Sequence, residues 1–378
     1  MNPNRYPAVF MRGGTSKGIV FHRRDLPADP ADWDALFLSI MGSPDPNGRQ
    51  LDGMGGGISS LSKVCIVGPS TRPDADVDYT FAQVMIQESR VDYSGNCGNM
   101  SSAIGPFAVE EGLVAARGDE TLVRVHNTNT GKVIHARFPL RAGRFDARGD
   151  LEIPGVAGAG APIRLDFMEP GGATTGRLLP TGRAADTLEI PGLGRLRVSM
   201  VDAANACVFV AAADLGLAGT ESPQALEDMP DAMQALGLIR IHASVAMGIA
   251  ADLDAARAKR VVPFVGFVAP PRDAVTLAGA PIAADQVDLT VRMLSSGQPH
   301  RALPLTASLC TAVAAAIEGS VAHAAARPNP AGALRIGMPS GILQVGAQVE
   351  RVDAGWHAAR GSFYRTARRL FDGQVYPA

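Results

Sequence analysis

Residues 91–114 read VDYSGNCGNMSSAIGPFAVEEGLV. From position 100 to 113 the stretch is apolar almost all round, the pattern of a helix buried on every side rather than along one stripe. A second stretch, CTAVAAAIEGS, opens at Cys310 in the other half of the chain. Each sets a cysteine among small residues at the start of an apolar helix that closes on an acidic–glycine step. The echo predicts two related halves, each with a buried central helix. We place the boundary in the loop-rich stretch around 180–187, giving domains at 1–185 and 186–378, with the last strand free to return to the first domain.

What surrounds these helices reads as strand. Segments 63–67 (KVCIV), 77–86 (VDYTFAQVMI), 121–125 (TLVRV), 197–201 (RVSMV) and 207–211 (CVFVA) are rich in β-branched and apolar residues, and 262–268 (VPFVGFV) fits a buried strand. The 42 glycines and 27 prolines fall at short intervals, which suits many short strands and turns rather than a helical bundle. Helical patterns are fewer. Trp33, Leu36, Phe37, Ile40 and Met41 recur with a period near 3.6 over 32–41, and 221–236 and 239–253 look amphipathic. With 378 residues, 46% of them hydrophobic, the chain can fill two cores. The expected class is α/β (α+β).

Several functions are set aside by composition. A formal net charge of -2 gives no broad basic field, so neither nucleic acid nor an anionic membrane surface is an expected partner. Four cysteines are too few for a disulfide framework. The start, MNPNRYPAVF, lacks the apolar stretch of a signal peptide, and no apolar run approaches the ~20 residues of a membrane span. A cytoplasmic protein is expected. There is no CxxC, HExxH or histidine cluster, so no metal is expected. MRGGTSKG (11–18) misses the phosphate-loop spacing, GMGGG (53–57) is no dinucleotide fingerprint, and GxSxG is absent. Cofactor-free chemistry is what remains.

Three segments can carry it. In SGNCGNM (94–100), Cys97 at a helix start faces the positive end of the helix dipole and free backbone N–H groups, which favours a thiolate and can hold a carboxylate. The same cysteine also reads as a small buried hydrophobe at the end of a core helix. In DGMGGGISSLSKV (52–64), Lys63 enters an apolar strand. Pointing inward it is desolvated and usable as a base; pointing outward it is an ordinary solvated lysine. In RGGTSKG (12–18), a nest of N–H groups with the Thr15 and Ser16 hydroxyls suits a carboxylate or is a tight structural turn. Cys310 is either a second thiol of the site or a packed small residue. Cys65 and Cys207 read as core, HNTNTGK (126–132) as a turn and DADVD (74–78) as a solvated strand edge.

These motifs occur in a fixed order: MRGGTSKG, GSPD (42–45), LDG (51–53), SK (62–63), DVDYTFAQV (76–84), VDYSGNCGN (91–99), GPFAVEEGLV (105–114), HNTNTGK and LLPTG (178–182). VDAANACVFV (201–210), DLGLAGTE (214–221), FVAPP (267–271) and MPSGILQVGAQV (338–349) continue them. Together they resemble the PrpF-type isomerases, which include 2-methylaconitate cis-trans isomerase, methylitaconate Δ-isomerase and 4-oxalomesaconate tautomerase. The resemblance implies a diaminopimelate-epimerase-like fold: two pseudo-symmetric domains, each a curved sheet wrapped around a central helix, with the site in the cleft between them. It implies neither cofactor nor metal, and a small unsaturated di- or tricarboxylate as substrate. It makes Lys63 and Cys97 the acid/base pair and Ser16 a pocket residue, and Cys310 falls where the second epimerase cysteine would lie. The expected substrate-binding set is Gly14, Thr15, Ser16, Asn96, Gly98, Asn99, Cys310 and Thr311. GGGISSLSK departs from the GADPLTSK form of some members, which leaves the acid open. The expected reaction is a 1,3-allylic proton shift; the alternatives are a two-cysteine racemase and an accessory protein to an aconitase-like dehydratase. A homodimer is the expected assembly.

Overall fold

The computed structural model describes residues 5–93, 95–116, 118–259, 262–295, 297–328, 333–353 and 355–378; Ser94 of the cysteine motif lies outside them. The chain divides into two compact units, Met1–Asp166 with Tyr364–Ala378, and Phe167–Phe363.

The first unit contains β1 (Tyr6–Gly13), β2 (Ser16–His22), α1 (Trp33–Met41), β3 (Lys63–Pro69), β4 (Val77–Val84), β5 (Val91–Asp92), α2 (Gly98–Glu110), β6 (Glu120–Asn127) and β7 (Lys132–Arg141). β1 pairs antiparallel with β2 and with the C-terminal strand Ala367–Val375. The sheet continues parallel to β3 and antiparallel to β4. β4 gives its end to β5 and its start, in parallel, to β6, which pairs with β7. α2 touches β1, β2, β3, β6, β7 and the C-terminal strand, so the sheet wraps it. Gly98 and Met100 through Val109 are all buried.

Strand alternation sorts the side chains. Val64 and Ile66 of β3, with Ala82 and Val84 of β4, pack against Trp33, Phe37, Ile40 and Met41 of α1. Lys63 and Cys65, with Phe81 and Gln83, therefore leave the sheet on the opposite face. Each large apolar side chain buried in these layers stabilises the unit by ~1.5–3 kcal/mol. The 74–78 edge is held by the Asp76–Arg124 ion pair and by a 2.9 Å hydrogen bond between Asp78 Oδ1 and His126 Nδ1.

The second unit repeats the plan. Strands Asp186–Ile190, Gly194–Asp202, Ala206–Ala211, Phe264–Ala269, Leu289–Ser295, Ala333–Met338, Gly341–Val352 and Gly355–Arg365 follow one another across its sheet. The helix Leu305–Ala316 packs on Gly341–Val352, Gly194–Asp202 and Ala206–Ala211. A longer helix, Pro230–Ala246, covers the outer face with Leu236, Ile239 and Ala243.

Three sequence expectations shift. The units divide at Asp166/Phe167 rather than at 185/186, because Asp202 Oδ2 accepts hydrogen bonds from Thr174 N (2.8 Å) and Thr175 N (2.6 Å), binding that loop to the second sheet. The amphipathic stretches at 221–236 and 239–253 become Pro223–Glu227, Pro230–Ala246 and Leu253–Ala258. Pro230 is costly inside a helix but suits its first position, which it takes here, and Gly248, at a φ of 73°, ends the run. The helix expected at 312–317 begins at Leu305, which moves Cys310 from its start to its middle.

The close packing of α2 is testable at Gly105, where a Cβ would come 2.6 Å from Phe138 Cε1 and 3.1 Å from Ala136 Cβ. Gly105→Val is expected to destabilise the protein by ~1–3 kcal/mol, as overpacked cores do, read as a lower urea midpoint.

Candidate active site

Cys97 is the N-cap of α2, with φ -101° and ψ 98°, and its side chain makes no capping hydrogen bond. The first turn is tied by its backbone instead: Cys97 O accepts from Ser101 N (2.9 Å) and Ser101 Oγ (3.0 Å). The thiol therefore sits half-exposed at the end of the helix where backbone N–H groups lack intrahelical partners. Asn96 supports the same turn, its Oδ1 lying 3.3 Å from Ser101 Oγ.

Lys63 opens β3 and is only 8% exposed, which removes the solvated-lysine reading. Its Nζ donates to Gln83 Oε1 at 2.7 Å and lies 4.9 Å from the centre of the Phe81 ring. Cys65 is next on the same face of β3. Burial pushes its thiol far up, Cys97 adds to the rise and Lys63 pulls it back. Beneath them the buried Tyr79 hydroxyl lies 3.9 Å from Cys65 Sγ, and burial again holds that phenol well above its usual range.

The turn between β1 and β2 packs on the first turn of α2. A Cβ on Gly13 would come 2.6 Å from Asn99 O, and Gly14, at a φ of 52°, leaves room for Asn99 Oδ1. Thr15 N donates to Asn99 Oδ1 (3.3 Å), while Asn99 Nδ2 donates to Thr15 Oγ1 (3.1 Å). Gly14 N donates to Thr366 O, so two amides of the expected anion nest are already engaged within the protein. Gly98 and Asn99 follow Cys97 in the first turn of α2, and Ser16, at the start of β2, is buried.

Two guanidinium groups escaped the sequence reading. Arg365 is buried, donating Nε to Asn99 Oδ1 (3.3 Å) and NH1 to Tyr364 O (2.8 Å), and burial lowers its pKa to about 10. Arg12 donates to Gly14 O and Thr366 O, and burial lowers its pKa as well. The only signal was the basic run RTARR at 365–369, which gains meaning once the tail strand lies beside β1. The first unit thus holds a buried lysine, a half-buried thiol at a helix N-terminus, one buried arginine and one half-buried arginine.

Cys310 and Thr311 belong to the second unit. Both are fully buried in the second unit, where Cys310 Sγ lies 3.3 Å from Val201 O and Thr311 Oγ1 donates to Ala307 O. Cys310 instead neighbours the buried Cys207, whose thiol is held high by burial and then by Cys310 itself. Sequence similarity of the two apolar stretches concealed a difference in helix phase. Among the described residues no cluster of three or more His, Cys, Asp or Glu is placed to hold a metal ion, and no helix is long and apolar enough to cross a membrane.

Comparison with known proteins defines the class first. A hydroxyproline epimerase from Agrobacterium vitis superposes with a TM-score of 0.52 at 15% identity, covering 99% of this chain and 93% of the other, which establishes an epimerase-like fold. A solved methylitaconate-delta-isomerase superposes with a TM-score of 0.90 at 42% identity, covering 99% and 95%. The chain belongs to the PrpF protein family, whose model matches residues 3–378. It is 43% identical over 375 residues to the 3-methylitaconate isomerase of Eubacterium barkeri (98% of this chain, 97% of the relative). It is 40% identical over 380 residues to the 2-methyl-aconitate isomerase of Shewanella oneidensis (97% and 96%).

Cys65, Cys207 and Cys310 are buried and Cys97 is not. Iodoacetamide is expected to label Cys97 alone in the folded protein and all four cysteines in urea, read by peptide mass spectrometry.

Proposed function

We propose that this protein is an isomerase that moves a proton across an allylic unit of a small unsaturated di- or tricarboxylate, the substrate class named for its relatives. The observation that carries the reading is Lys63, buried at the start of β3 and donating to the neutral amide oxygen of Gln83 at 2.7 Å.

A C–H next to a C=C–carboxylate unit is acidified because its carbanion delocalises into a dienolate. Lys63 takes that proton. Cys97, or Lys63 itself after the shift, returns a proton to the far allylic carbon. The charge that grows on the carboxylate side meets the N–H groups of Gly98 and Asn99 at the start of α2, the Thr15 and Ser16 hydroxyls and the nearby Arg12 and Arg365. Asn96 and Gly14 shape the turns that present these groups. Rotation about the transiently single bond yields a geometric isomer, and its suppression yields a migrated double bond. The scheme uses no cofactor or metal. We further place the protein in the cytoplasm, acting as a homodimer.

The two-thiol racemase loses its second acid, since Cys310 lies in the middle of a buried helix. The test is proton NMR in D₂O with 2-methylaconitate, methylitaconate, oxalomesaconate and aconitate. Deuterium entering an allylic position of one acid is expected and names the substrate; no exchange with any of them, from folded protein, overturns the reading. Lys63→Ala is expected to lower kcat by at least ~10²-fold, as loss of a positioned base does, while Cys310→Ser keeps most activity.

A further inference from the structure

Gly18, Lys63, Gln83 and Asp92 stand in one row across β2, β3, β4 and β5, each the direct partner of the next. Side chains so paired leave the sheet side by side. On one flank of the lysine there is no side chain at all: a Cβ at Gly18 would come 3.0 Å from Lys63 Cβ and 2.5 Å from its carbonyl oxygen. On the other flank Gln83 Oε1 accepts the Nζ hydrogen bond.

The glutamine amide is held one way round. Its Nε2 lies 2.8 Å from Ser62 O and 3.1 Å from Ser59 O. An oxygen in that place would face two acceptors, so Oε1 must point at the lysine. Ser62 is clamped in turn, its Oγ donating to Val84 O (3.0 Å) and accepting from the buried Gln50 Nε2 (2.7 Å). The result is an acceptor fixed in position yet without charge. A carboxylate there would hold an ammonium in its charged form and unable to take a proton.

We propose that Gln83 is a positioning residue for the proton transfer, a clamped neutral acceptor that aims Lys63 Nζ and keeps the carboxylate of Asp92 one strand away. The proposal rests on Lys63 being the base. The charged and titratable groups on the elements around it have other engagements. Asp92 pairs with Arg90, Asp78 with His126, Asp25 with Arg24 and Glu110 with Arg369. Lys17 and His22 of β2, Arg23 after it, Tyr79 of β4, Asp34 of α1, Cys65 and Cys97 also stand on these elements, and no ion pair among the described residues includes Lys63.

The experiment compares Gln83→Glu, Gln83→Met and Lys63→Ala with the wild type, using the acid that exchanges in D₂O. Gln83→Glu is expected to move the acidic limb of the kcat/KM profile up by about 1–3 pH units, with activity recovering at alkaline pH and KM little changed. Gln83→Met is expected to lower kcat about tenfold without moving that limb. An unshifted profile in the glutamate variant overturns the proposal, and so does wild-type kcat in the methionine variant, whether or not the glutamate variant folds. A readout free of substrate is competitive acetylation of the four lysines with limiting acetic anhydride. Gln83→Glu is expected to slow Lys63 about tenfold relative to Lys17, Lys132 and Lys259, and an unchanged ratio counts against the proposal. Undiminished turnover in Lys63→Ala would instead remove the base itself, and with it the proposed function.

Discussion

A helix buried on all sides reaches the surface only at its ends, and it carries its unpaired N–H groups to one of them. In the first unit that helix is α2, and the reactive groups gather round its first turn. Cys97 supplies the cap position without spending its thiol on the cap. The glycine pair at 13 and 14 lets the β1–β2 turn press against Asn99. Arg365, two residues before the tail strand, reaches the same asparagine. A packing requirement, the enclosure of one apolar helix, thereby fixes where its unpaired N–H groups emerge.

The second constraint is electrostatic. Cations buried without a facing carboxylate are costly unless hydrogen bonds satisfy them. Arg12 meets this by donating to backbone carbonyls and Lys63 by donating to a glutamine amide. Carbonyl and amide partners hold these groups in place with uncharged acceptors. The acids of the same unit are paired away from them, Asp76 with Arg124 and Glu110 and Glu111 with Arg369.

The second unit shows what the shared plan does and does not carry over. Its buried helix is wrapped as α2 is, but Pro304, not a cysteine, takes the cap position, and Cys310 lies five residues inside Leu305–Ala316. Burial on every side removes the amphipathic phase from the sequence, so an all-apolar helix gives no signal of where it begins. The same absence of phase placed the expected helix at 312–317.

The sequence by itself determined the two-fold plan, the buried helices and six of the strands to within a few residues, and it put Lys63 and Cys97 forward as candidates. These are local properties: periodicity, glycine–proline punctuation and the company a cysteine keeps. Only the tertiary structure decided that Lys63 faces inward, that Gln83 rather than a carboxylate stands beside it, and that Arg12 and Arg365 meet at the β1–β2 turn. Cross-strand register and the return of the tail join residues far apart in the chain. Their pairing follows from which strands lie side by side, a relation that no local pattern encodes.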